Sequence, residues 1–218
     1  RDFAYDGDVV AHEFTHALVH TLQPNLGSLG VDTWGSHAFP GALNEGWADY
    51  FASSFTDDSV MGEYLEAGGI RNIDNDAQCP TALTGEVHDD SLPWSGALWA
   101  PRNAVAQNDR AALDALLLST IAQAATSETF DAQAQKILTA LAADTSLTTY
   151  ISAAEQAFQA HTIIDCERVV PLLSQAGTQS HTHATMHQGE PAAFGLDNYA
   201  PSPLQFSVEI PAGATGFN

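Results

Sequence analysis

Apolar side chains recur at helical spacing along most of the chain. Asp6-Gly7-Asp8 is a helix-start signal ahead of the apolar run Val9, Val10 and Ala11, and Pro24 and Gly27 stop the segment. This predicts a first helix ending near Thr21 or Leu22. Residues 23–40 hold several Gly and Pro with little periodicity, so a long irregular loop is expected before a second helix from about Ala42 to Ser54. Ser91 and Pro93 mark the first turn of another helix. From about Ala104 to Ile164 three further helices are predicted. Their core positions are Leu113, Leu116, Leu117 and Ile121, then Phe130, Ala134, Ile137, Leu138 and Leu141, then Ile151, Ala154 and Phe158. Beyond Cys166 the pattern breaks into a polar, irregular segment, after which Leu204–Ile210 alternates apolar and polar like a single strand. The expected fold class is mainly α. Its divisions are a metal-binding region at 1–103, a helical lobe at 104–172, a linker at 173–203 and the start of a β-sandwich at 204–218.

Composition narrows the partners. The formal charge is −21, from 27 acidic and 6 basic residues, which repels nucleic acid and anionic membranes, so neither is expected as a partner. Nothing approaches the roughly 18 uninterrupted apolar residues of a membrane span. An excess of carboxylates suits a secreted protein. The chain begins at Arg1 with no signal-like segment, and it is expected to be part of a larger precursor with an N-terminal lobe or propeptide. Cys79 and Cys166 fit either one disulfide or a pair of buried thiols. His181, His183 and His187 lie in the polar segment, where histidine clusters often bind metal without a role.

The chemistry concentrates in His12-Glu13-Phe14-Thr15-His16. Two histidines four apart lie about 40° apart around a helix and one turn along it, so both imidazoles can reach one metal ion, with Glu13 beside it as a general base. A catalytic zinc needs a third protein ligand and an open position. His20 continues the stripe but lies roughly 12 Å of helix rise from His12, too far to converge. Glu45 is the better third ligand, because Glu45 and Asp49 stand at i and i+4 on the second helix. Asp49 is then placed to accept a ring N–H from a ligand histidine.

Two blocks, Asp8 to Ala17 and Gly41-Ala42-Leu43-Asn44-Glu45-Gly46-Trp47-Ala48-Asp49, resemble the signature of thermolysin-like and fungalysin-like zinc endopeptidases. The Glu-Gly-Trp-Ala-Asp wording is nearer the fungalysin side. The resemblance implies zincin-type catalytic helices plus a helical C-terminal lobe, the α-rich half of a thermolysin-like fold, with the edge strand that pairs with substrate in a lobe preceding the zinc helix. It implies zinc on His12, His16 and Glu45, and structural calcium at Asp8 with Asp57 and Glu63 as further ligands; a helix cap or solvated carboxylates are the plainer readings. It gives Arg71 the substrate carbonyl just after the scissile bond, against an ion pair with a neighbour such as Asp74. It gives His88 the oxyanion of the tetrahedral intermediate, against a surface histidine. The sequence departs from the pattern twice. Ser36 stands where the family carries a transition-state tyrosine, with His37 and Trp34 the neighbours that could substitute. Leu83 stands where an aspartate usually pairs with the histidine, leaving Glu86, Asp89 or Asp90 for that task.

The activity expected is that of a secreted zinc endopeptidase acting on protein or peptide substrates, with Glu13 and His88 catalytic. A zinc aminopeptidase and a non-catalytic binding module on a peptidase fold are the alternatives.

Overall fold

Asp6 opens the first helix, α1 (Gly7–Leu22), by accepting from the backbone N–H groups of Asp8 and Val9. The structure is a computed structural model, described here for residues 2–172, 205–210 and 212–213. The loop expected after α1 contains a small antiparallel hairpin, β1 (Gly30–Asp32) and β2 (Gly35–His37). Asp32 Oδ1 accepts from Trp34 N at 2.7 Å and Gly35 takes φ 105°, so local turn chemistry closes strands too short to show alternation. Helix α2 (Phe39–Thr56) follows, beginning three residues before the expected start because Pro40 fits a first helical turn. A two-residue pairing, β3 (Val60–Met61) with β4 (Arg71–Asn72), returns the chain to α2.

The remaining helices are α3 (Val87–Asp90), α4 (Leu92–Ala104), α5 (Arg110–Ile121), α6 (Phe130–Ala143) and α7 (Ile151–Ala160). The fold is mainly helical, as the periodicity predicts. Leu113, Leu117, Ile121, Phe130, Ala134, Ile137, Leu141, Ala154 and Phe158 are buried, and Leu116, Leu138 and Ile151 pack against them. Of the expected strand at 204–210, the described residues 205–210 contain β6 (Gln205–Ser207), which pairs in parallel with β5 (Val169–Pro171). The whole 173–203 segment, including His181, His183 and His187, lies outside the described residues. Cys79 and Cys166 form a disulfide, with Cα atoms 5.4 Å apart, that ties the loop before α3 to the chain after α7.

One continuous core joins α1 and α2 to the later helices. At its centre the Trp94 ring stacks between Phe130, at 5.8 Å, and Phe158, at 6.0 Å, and meets Trp47 edge-on at 6.0 Å. Gly46 is what lets α2 lie against this stack. A Cβ there would sit 2.7 Å from Trp94 Cδ1 and 3.2 Å from the Ser91 carbonyl. Trp47 and Glu45 flank that contact, so the packing of the core and the placing of the acidic side chain share one turn of helix.

The approach to α3 is pinned from its far end. Asp90, buried, accepts from the N–H groups of Thr84 and Gly85 through Oδ1 at 2.6 and 3.0 Å. Burial pushes its carboxyl up to about 6 against the pull of those backbone donors.

Two outcomes are expected. Gly46→Ala should lower unfolding free energy by about 1–2 kcal/mol, overpacking outweighing better helix propensity, and shift Trp fluorescence; a denaturant titration with an unchanged or raised midpoint would contradict this. For Asp90, the raised folded-state value means the folded protein holds a proton that the unfolded chain has released above about pH 4. Relative to Asp90→Asn, which keeps the acceptor, the parent should therefore lose on the order of 2 kcal/mol between pH 4 and pH 7. Urea unfolding of the metal-free proteins at both pH values tests it, and a difference independent of pH would refute it.

Candidate metal centre

Helices α1 and α2 pack face to face, and the buried stripe of α1 carries His12, Thr15 and Val19. His12 and His16 meet edge-on across one turn, their Nε2 atoms 2.9 Å apart. Glu45 Oε2 projects from α2 to within 3.2 Å of His12 Nε2 and 3.4 Å of His16 Nε2. Among the described residues these three form the one group of His, Cys, Asp or Glu side chains able to share an ion. His20 is exposed, outside the cluster.

Outer partners decide which ring nitrogens face inward. His12 Nδ1–H donates to Asp49 Oδ1 at 2.8 Å, and His16 Nδ1–H donates to Asn44 Oδ1 at 3.1 Å. Both Nε2 lone pairs are thereby turned toward Glu45. The proton positions follow from these acceptors. Asn44 belongs to the sequence block around Glu45, yet only the fold shows that its amide holds the His16 ring.

Three electron-rich atoms about 3 Å apart repel one another without a cation among them. Glu45 Oε2 is buried and has no hydrogen-bond donor in suitable geometry. Ligands at about 2.0–2.1 Å from a tetrahedral zinc are separated by roughly 3.3 Å, close to the spacings seen. The donor set therefore fits zinc. Titration tells the same story: burial alone would lower His12, but the neighbouring carboxylates of Asp49 and Glu45 outweigh it and raise it to about 9. His16 is raised too, with Glu45 overcoming burial. Burial would raise the Glu45 carboxyl, but His12 and His16 hold it well below the usual carboxylate range. The pocket attracts positive charge.

Asp49 is fully buried and has a second partner. Arg71, on β4, donates through Nε at 2.9 Å and Nη2 at 2.7 Å. Its ion pair is thus with Asp49 rather than the neighbouring Asp74. Nη1 is the guanidinium nitrogen not engaged there.

His88 reaches the same centre from α3. Its Nε2 lies 3.3 Å from Glu45 Oε2, and its Nδ1–H donates to Glu86 Oε1 at 2.7 Å. The Glu86 bond raises the imidazole against the effect of burial; burial would raise Glu86 in turn, but the His88 ring and the backbone N–H groups of Asp89 and His88 together lower it. Of the three carboxylates available by sequence, Glu86 makes the contact. Asp90 holds the preceding turn, and Asp89 Oδ2 accepts from the Thr84 hydroxyl. Glu13, next to His12 on α1, is exposed.

The calcium set is divided. Asp8 Oδ2 accepts from Gly62 N at 3.3 Å and lies beside Glu63, whose proximity raises the Asp8 carboxyl together with burial, the larger cause. Asp57, left-handed at the end of α2, is taken by Arg102 at 2.8 Å and Arg110 at 2.7 Å. These three residues form no common ligand group. Trp34 is half exposed, while His37 is half buried against Phe39 at 5.1 Å. Neither contacts the metal-centre residues.

No family model matches the chain. Two curated relatives are similar over one stretch. The chain is 33% identical over 82 residues to an extracellular metalloproteinase of Pyrenophora tritici-repentis, covering 33% of this chain and 12% of the relative. It is 32% identical over 83 residues to the extracellular metalloproteinase MEP of Leptosphaeria maculans, covering 34% and 13%. The match thus spans about an eighth of those relatives. No helix among the described residues is long and apolar enough to cross a membrane. The chain presents a His-His-Glu group and, over about a third of its length, similarity to extracellular metalloproteinases.

Proposed function

We propose that this chain carries the catalytic centre of a secreted zinc endopeptidase of the thermolysin-like and fungalysin-like type, acting on internal bonds of proteins or peptides. The observation that carries the reading is the convergence of His12, His16 and Glu45 with both ligand rings oriented by outer acceptors. Glu13 beside them supports catalysis over a merely structural ion. When bound, zinc supplies a Lewis acid that polarises the scissile carbonyl and acidifies water.

The protein's own groups do the rest. Glu13, exposed on α1, accepts the proton of the attacking water and passes it to the leaving amine. His88 Nε2 stands at the rim of the centre, where an imidazole N–H meets the developing oxyanion charge. Arg71 is anchored on Asp49 by two nitrogens, and Nη1 is the one left to take the substrate carbonyl after the scissile bond. Asp49 keeps His12 in its ligating tautomer. For calcium, the pair Asp8 and Glu63 is the part of the expected set that stands together, with Asp57 committed to its arginines.

An internally quenched peptide blocked at both ends, given to the full-length zinc-loaded protein, tests the reading. Cleavage should disappear with a chelator and return with zinc. Glu13→Ala should retain one zinc while kcat falls by at least about a hundredfold to ten-thousandfold. Near-parent turnover in the zinc-loaded variant would overturn the role of Glu13. Cleavage of unblocked peptides alone would indicate an aminopeptidase.

A further inference from the structure

His88 sits on a four-residue helix, and one carboxylate both caps that helix and grips the imidazole. Glu86 Oε2 accepts from the backbone N–H of His88 at 2.9 Å and of Asp89 at 3.1 Å, while Oε1 accepts from His88 Nδ1 at 2.7 Å. The other end of the ring, Nε2, is 3.3 Å from Glu45 Oε2. Leu83, five residues before His88, is 1% exposed in the core and has no polar atom to offer. The side chain of His88 remains 47% exposed, so packing alone does not fix its ring.

We propose that Glu86 is the positioning residue of His88: its two oxygens tie backbone and ring of the same residue together, which aims Nε2 at the metal centre. This rests on the endopeptidase reading and deepens it. A half-exposed imidazole without a partner samples several rotamers and both ring flips, and only one orientation presents Nε2 to the reacting carbonyl. The bond from Nδ1 selects that orientation before substrate arrives. A purely structural role is the competing account, since an N-cap carboxylate also stabilises the turn.

Glu86→Asp separates the two. Aspartate is a favoured N-cap and keeps the backbone acceptor, but it is one methylene too short to hold the ring as well. In the zinc-loaded full-length protein, Glu86→Asp should keep its thermal midpoint and its zinc. Its KM should stay within about twofold of the parent while kcat falls about tenfold to a hundredfold. Glu86→Ala should add little further loss to His88→Ala, because both remove the same aimed donor. Parent-like kcat in Glu86→Asp, or a full additional loss when Glu86→Ala is placed on His88→Ala, would overturn the proposal. Ring 15N NMR supplies a readout that needs no turnover: the parent should show a protected His88 Nδ1–H that Glu86→Asp loses, and its retention in that variant would overturn the proposal too. Zinc binding without any cleavage by the parent would count against the peptidase reading alone, leaving the Nδ1–H signal to decide the role of Glu86.

Discussion

A carboxylate with no access to water, Asp49, is the constraint on which the site depends. Buried charge is costly unless fully compensated, and here the compensation comes from two separate elements. His12 arrives from α1 and Arg71 from β4, so the same residue sets the spacing of the two helices and the path of the chain between α2 and α3. Removing either partner leaves an unmet charge inside the protein. That makes the geometry of the metal centre a consequence of satisfying Asp49, before any ion binds.

The aromatic stack supplies a second constraint on α2. Trp94, held between Phe130 and Phe158, presses on the helix at Gly46, next to Glu45. A polar anchor at Asp49 and a packed ring at Gly46, one turn apart, leave α2 little freedom to rotate. Glu45 inherits that rigidity, which suits the proposed ligand role, where placement to within about half an ångström is needed.

The cluster of His12, His16 and Glu45 was legible from sequence because it is written in helical spacing: four residues separate His12 from His16, and four separate Glu45 from Asp49. Periodicity likewise exposed the core helices, whose apolar faces are buried as their pattern implies. What escaped were contacts between residues far apart in the chain. Asp57 looks like a free carboxylate until Arg102 and Arg110 arrive from 45 and 53 residues away. Arg71 could be read as paired with Asp74, but its acceptor stands on a helix already passed. The hairpin at 30–37 is invisible to alternation because its strands are three residues long, and Arg168 braces it across 136 residues through Asp32.

Three histidines share one design with three different acceptors. Each donates Nδ1–H outward, His12 to a buried carboxylate, His16 to an amide and His88 to a half-exposed carboxylate, and each Nε2 lies 3.2 to 3.4 Å from the same Glu45 oxygen. The chemical differences follow the tasks. A carboxylate makes an imidazole more basic, which in the proposed centre would strengthen His12 as a ligand and favour the doubly protonated, donating form of His88. An amide orients without adding charge. With Asn44 in that position, the centre avoids one more carboxylate in a protein that already carries a formal charge of −21. Too many anions around a metal would neutralise the Lewis acidity that makes it useful, so the neutral partner on His16 is as much a part of the chemistry as the charged ones on its neighbours.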